Sequence, residues 1–247
     1  MRDKNSNAQI IWLPETESTN QYLRILTNAG GIVDRSIVWT DFQTKGRGQA
    51  GNSWESAPGM NLLCSILFYP SRLPANQAFA VLELAALSVK YTLDKYVPDI
   101  SIKWPNDIYF RNKKISGILI ENDMAKTMII RSIIGIGINL NQTEFISDAS
   151  NPVSLSMITG NSYDIKVILN QLHDNFTLLT SELDAGMFDR FHQKYCNLLY
   201  HRNGFHTCKD DQGFFEARIH TIEPSGHIIL ERRDGALSRY GFKQVLF

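Results

Sequence analysis

Four short segments carry residue types suited to anions and flat polar ligands. The first is Lys45-Gly46-Arg47-Gly48-Gln49-Ala50-Gly51, which follows a β-branched run. Its glycines let the backbone approach a ligand and turn N–H groups toward an anion. Arg47 adds a planar donor suited to carboxylate or phosphate. The loop matches neither the P-loop nor the dinucleotide fingerprint, and a plain surface loop is the competing reading. The second is Lys103-Trp104-Pro105-Asn106-Asp107. Pro105 biases Trp104 to extended geometry and Asn106-Asp107 favours a turn. A strand carrying a lysine therefore ends in a corner with two polar side chains. A hairpin corner whose lysine reaches water explains the same string.

The third segment runs from Lys114 through Ser116 and Gly117 to Glu121. On a regular strand Lys114, Ser116, Ile118 and Ile120 share one face. Lys114 then lies at a solvated strand end or points into a pocket. The fourth is Ile134-Gly135-Ile136-Gly137-Ile138-Asn139. Here Gly135, Gly137 and Asn139 line one face and isoleucines the other. Two glycines on one face weaken a strand unless something approaches closely. A flat ligand, with Asn139 at its edge, and another backbone are the two candidates.

These segments need a scaffold, and the sequence outlines one. Residues 10–13, 36–41, 61–68, 100–104, 108–110, 114–121 and 127–140 read as strands, with turns at 105–107, 111–113 and 122–123. Helices are expected after the capping residues 16–20, closed by Gly30-Gly31, and over 73–97, 164–183 and 186–199. The 73–97 helix shows an apolar stripe at Phe79, Leu82, Leu84, Ala86, Leu87 and Tyr91. Beyond His201 the texture becomes alternating short runs, 214–222, 227–232 and 237–242, split by turns. This is a small β module after a larger α+β unit.

Bulk properties narrow the class. At 247 residues with 43% hydrophobic content a packed core is expected. Lys+Arg and Asp+Glu are both 25, so no basic excess points to nucleic acid. Cys64, Cys196 and Cys208 form no C-x-x-C pair, and an odd count suits a reducing compartment. No secretory leader or membrane-length apolar run is visible, so the expected location is the cytoplasm, without a membrane partner.

In order and spacing, Ser18-Thr19-Asn20, Gln43 with Gly46-Arg47-Gly48, Lys103 to Asp107, Lys114 with Gly117, and Gly135 to Asn139 resemble the biotin–protein ligases, or biotin–[acetyl-CoA-carboxylase] ligases. The resemblance is specific over residues 10–141 and weaker beyond. It implies an α+β fold: a mixed β-sheet backed by helices, of the class II synthetase-like type, over residues 1–200, and a small SH3-like β-barrel over 201–247. It also implies two reactions. Biotin and MgATP give biotinyl-5′-AMP and pyrophosphate, and a lysine of a biotin carboxyl carrier protein then takes the biotin. Arg47, Lys114, Lys103 and Asp107 would be the catalytic set. Ser18, Thr19, Gln43, Gly46, Arg47, Lys114, Gly117 and Gly135 would meet biotin, with Gly137 completing the floor. Arg47, Gln49, Trp54, Lys103, Asn106, Lys114 and Asn139 would meet the nucleotide, Trp54 by stacking on adenine. Mg²⁺ would be held mainly by the ATP phosphates. The protein would be a monomer or homodimer.

Two departures from the family pattern matter. Many relatives carry arginine where Gln49 stands, so a leakier adenylate is expected. Some carry an N-terminal helix-turn-helix domain; here the motifs start near residue 18, so a monofunctional type with no DNA partner is expected. Two rivals remain. A lipoate-type ligase or octanoyltransferase would want a long apolar slot or a cysteine nucleophile near its lysine. A non-catalytic vitamin-binding protein would have no use for Arg47, Lys103 and Lys114.

Overall fold

The computed structural model describes residues 8–146 and 151–247. Residues 1–7, part of the stretch read for a leader, lie outside the described residues. The chain opens with β1 (Ile10–Thr16), α1 (Thr19–Ala29), β2 (Ile37–Gln43) and β3 (Leu62–Phe68). Then come β4 (Leu73–Pro74), α2 (Phe79–Leu93), β5 (Ile100–Lys103) and β6 (Asp107–Phe110). The hairpin β7 (Lys113–Ala125) and β8 (Met128–Ile138) precedes α3 (Leu155–Thr159), α4 (Ile165–Asp184) and α5 (Phe188–Asn197). The chain ends with β9 (His206–Asp210), β10 (Gly213–Ile222), β11 (Ile228–Arg232) and β12 (Leu237–Tyr240).

The first eight strands form one mixed sheet, ordered β1-β2-β3-β8-β7-β6-β5, with β4 also on β8. β1 and β2 run parallel and the other pairs antiparallel. Alternation along β3 and β8 sends Leu62, Cys64, Ile66, Ile134, Ile136 and Ile138 into the main core with α2, α4 and α5. The opposite face carries Leu67 and Ile133, which pack with Val38 of β2 and Leu23 of α1. One helix thus covers part of that second face and leaves the rest open.

Three expectations are corrected. The helix expected over 73–97 is shorter, because Leu73 and Pro74 pair with Ile129 and Met128 of β8. It is also buried on nearly all sides rather than along a stripe, being wedged between the sheet and α4 and α5. The turn expected at 122–123 is strand, since Asn122 pairs with Ser132 and Asp123 with Arg131. The side chain of Ser18, at the N-cap of α1, makes no cap bond. Gln43 of β2 does that work: its Oε1 accepts from the orphan Thr19 N–H at 2.8 Å. Strand β9 and helix α3 had no expectation at all.

The four C-terminal strands form an antiparallel sheet, β12-β11-β10-β9, consistent with an SH3-like module. Its turn at 223–226 inserts into the main body. Trp104 Nε1 donates to Gly226 O at 2.9 Å, and a Cβ on Gly226 would meet the Phe79 ring at 2.6 Å. Beside it, His192 of α5 bridges Glu83 of α2 (Nδ1 to Oε1, 2.5 Å) and Ile222 O of β10 (Nε2, 2.7 Å).

The Cys196 thiol and the Glu83 carboxylate, both in hydrogen-bond reach, push the His192 imidazole up to about 10 despite burial. The imidazolium bonds therefore contribute fully below 6.5, histidine's usual value, and are lost as pH climbs toward 10. Urea unfolding should show His192→Gln destabilised by about 2 kcal/mol at pH 6, with the gap closing as pH rises. Curves that stay parallel across that window would contradict this account.

Candidate functional site

The open face of the sheet is built on the pairing of β7 with β8. Gly117 sits opposite Gly137, and Leu119 opposite Gly135; Gly135 in turn faces Ser65 of β3. The three glycines make a bare floor that side chains from outside cover closely. A Cβ on Gly137 would lie 2.5 Å from the Trp54 ring, on Gly117 2.8 Å from the same ring, and on Gly135 2.5 Å from Asn20 Oδ1. Trp54 and Asn20 leave a pocket of about 50 Å³. A ligand lying flat on the glycines needs the indole to lift.

Lys114 reaches this face through an irregularity. The β6–β7 register shifts so that Tyr109 pairs with Lys114 while Ile108 pairs with Ser116. The extra residue, Ile115, is buried in the main core, as is Ile118. Alternation therefore breaks between 115 and 116, and Lys114 joins Gly117 rather than Ser116. This corrects the shared face expected for Lys114, Ser116, Ile118 and Ile120. The Lys114 ammonium pairs with Asp107 Oδ1 at 2.8 Å and lies 5.7 Å from the Trp54 ring centre.

The other end of the floor is neutral and polar. Gln43 Oε1 also accepts from Thr19 Oγ1 at 3.1 Å, leaving its amide N–H groups uncommitted to Thr19. Ser65 Oγ lies 2.7 Å from Thr19 Oγ1 and 2.6 Å from Asn20 Oδ1. Asn20 Nδ2 donates to Leu119 O at 3.4 Å. Neither Ser65 nor Asn20 stood among the expected site residues. The signal for Ser65 was available: a lone hydroxyl inside an otherwise apolar strand.

The expected residues Ser18, Thr19, Gln43, Arg47, Gln49, Trp54, Asn106, Asp107, Lys114, Gly117 and Gly135 all line this one pocket. Gly46, Lys103 and Asn139 do not. Gly46 supports the wall, its carbonyl accepting from Trp54 N at 3.0 Å. Lys103 lies outside, 4.9 Å from the Tyr109 ring centre and 5.9 Å from those of Tyr200 and Phe247. Burial lowers its ammonium below the usual lysine value, with Asp107 opposing and Lys114 reinforcing the shift. Asn139 is buried past the floor; Nδ2 donates to Val153 O, and Oδ1 has no partner among the described residues. Arg47 turns its guanidinium to Glu121, at 2.8 Å. Cys64 also borders the pocket, yet its side chain belongs to the core face, and burial pushes its thiol up to about 12.

An open sheet face with a glycine floor, neutral acceptors and donors at one end and a lysine–aspartate pair at the other defines a small-molecule site in an α+β protein. The model of the biotin/lipoate A/B protein ligase family matches residues 12–139, and the chain belongs to that family. It is 31% identical to the bifunctional ligase/repressor BirA of Escherichia coli over 52% of this chain and 39% of that protein. It is 31% identical to a biotin–[acetyl-CoA-carboxylase] ligase of Mycobacterium tuberculosis over 64% of this chain and 61% of the relative. Both alignments span less than two thirds of the relative's length. Among solved structures, the biotin protein ligase of Aquifex aeolicus in complex with biotin and ATP matches with TM-score 0.76 and 26% identity, over 96% of this chain and 97% of that one.

Because the indole rests on Gly137, the substitution Gly137→Ala should expel it. Iodide quenching of tryptophan fluorescence is expected to rise in Gly137→Ala and to revert in the Gly137→Ala, Trp54→Phe double variant. Unchanged quenching would mean that the ring does not lie on the floor.

Proposed function

We propose that this chain is an ATP-dependent biotin–protein ligase. The observation that carries the reading is the single floor with a neutral polar end and a cationic end. Biotin's ring is an uncharged urea that asks for donors and acceptors without charge, which Thr19, Asn20, Gln43 and Ser65 supply. Its carboxylate must meet the α-phosphate of ATP, and two anions approach only where cations and N–H groups offset their repulsion. Lys114 is the cation at that end of the floor, with Arg47 on the adjoining glycine loop. Attack by a carboxylate oxygen on the α-phosphorus forms biotinyl-5′-AMP and releases pyrophosphate. The amine of a lysine on a carrier domain then attacks the acyl carbon and releases AMP. A similar fold holds biotin and ATP in the Aquifex aeolicus protein.

For the nucleotide, Trp54 offers a stacking face once it lifts, and Asn139 Oδ1, without a partner among the described residues, offers an acceptor to an exocyclic amine. Asp107 is the carboxylate among the pocket residues, and the described residues hold no group of three or more His, Cys, Asp or Glu able to ligate a metal. One carboxylate beside triphosphate oxygens suits magnesium, which keeps much of its coordination from phosphate and water. Bound there, it would neutralise charge on the leaving pyrophosphate. In this reading residues 1–200 form the catalytic unit and 201–247 a smaller unit docked on it. The carrier domain, by its lysine, is the partner.

A cysteine-based acyl transfer finds little support, because the thiol bordering the pocket is held protonated by burial. Acid-dependent ATP–pyrophosphate exchange tests the assignment: activity is expected with biotin, and preference for lipoate or octanoate would refute it. Lys114→Ala should cut that exchange at least about 100-fold while biotin binding, by calorimetry, weakens far less. Gln49→Arg should slow release of the preformed adenylate in a chase experiment; an unchanged rate removes Gln49 from any role in retention.

A further inference from the structure

The two cations that the proposed reaction needs together line one pocket but rest on different parts of its floor. Gly117, Leu119 and Glu121 follow one another on the floor face of β7, with regular pairing to β8 throughout. Lys114 lies against Gly117, its Cε 3.4 Å from where a Cβ would be. The Arg47 guanidinium lies on Glu121. Four residue steps along the strand separate Gly117 from Glu121, about 13 Å. To act on one carboxylate and one phosphate, both side chains must come within about 3 Å of the same anions.

The contacts of Glu121 divide between its oxygens. Oε1 accepts from Arg47 Nη2 at 2.8 Å; Oε2 accepts from Arg24 Nη2 at 2.9 Å and Nε at 3.3 Å. Arg24 is fixed in turn by Asp123, 3.1 Å away, which also pairs with Arg131. When Arg47 leaves, Arg24 still neutralises Glu121, so no carboxylate is stranded without a partner. Arg24 and the polar residues Thr19 and Asn20 ride on the same helix, α1.

We propose that Glu121 is a positioning residue that acts through Arg47. It holds the guanidinium away from the Lys114 end of the pocket until acid and nucleotide compete for it. The inference rests on the ligase reading above for the identity of those anions. Arg24 sets the strength of the hold by sharing the carboxylate.

The test is the KM for ATP in biotin-dependent pyrophosphate exchange, with folding checked by circular dichroism melts. Glu121→Gln weakens the hold and should lower KM about threefold, in keeping with a partly exposed ion pair, with the gain confined to KM. Arg24→Met leaves Glu121 to Arg47 alone and should raise KM about threefold. Glu121→Asp, which withdraws the carboxylate by one methylene, should lower KM and serves if Glu121→Gln does not fold. Opposite signs for the Glu121 and Arg24 variants support the proposal. A KM that is unchanged or raised in the Glu121 variants, or that moves the same way in all of them, overturns it. If the wild-type protein shows no exchange with biotin, the ligase reading fails. Calorimetric titration of inorganic pyrophosphate then decides this point: about threefold tighter binding to Glu121→Gln supports it and equal binding overturns it.

Discussion

Pairing of β7 with β8 is the constraint on which the site depends. The register sets Gly117 against Gly137 and Leu119 against Gly135, so that three glycines from two neighbouring strands gather on one stretch of the open face. A slip of one residue would send the isoleucines of β8 to the open face and the glycines into the core. The packing of Ile134, Ile136 and Ile138 against the helices forbids that slip. The stability of the hydrophobic core and the shape of the site are thus fixed by the same alternation.

A single break in that alternation places the chemistry. The bulge near Ile115 buries Ile115 and Ser116 in succession and returns Lys114 to the floor face, beside Asp107 at the strand opposite. Across the sheet, helix α1 begins where Gln43 satisfies its first free N–H. The residues of its first turn therefore serve the fold and face the pocket at once. Polar groups that would be costly to bury alone are linked in one network from Gln43 through Thr19 and Ser65 to Asn20.

The C-terminal sheet is not a loosely tethered appendage. Its turn at 223–226 is received by Phe79 and Trp104, and the pair of buried Glu83 with half-buried His192 joins two helices to Ile222 of that sheet. Trp104 belongs to the same short string that supplies Asn106 and Asp107 to the pocket. Contacts of the small module with Trp104 thereby bear on the corner that holds those two side chains.

Much of this protein was legible in the chain alone. Turn residues and period-two runs marked most strands of the main sheet, and glycines at Gly135 and Gly137 on one strand face marked a surface kept bare. The order and spacing of the polar and glycine motifs pointed to the family, because their combination is far more specific than any one of them. What sequence could not contain were relations set by distant partners. Leu73 and Pro74 became strand because β8 offered an edge, and α2 is buried beyond its apolar stripe because the sheet, α4 and α5 enclose it on nearly all sides. Lys114 faces the pocket because a bulge forms against β6, which no local pattern announces. Ser65 and Asn20 meet only when α1 lies across β3, and Arg47 finds Glu121 across 74 positions of chain. Local pattern determines which residues can line a face; only closure of the sheet and packing of the helices decides which of them meet.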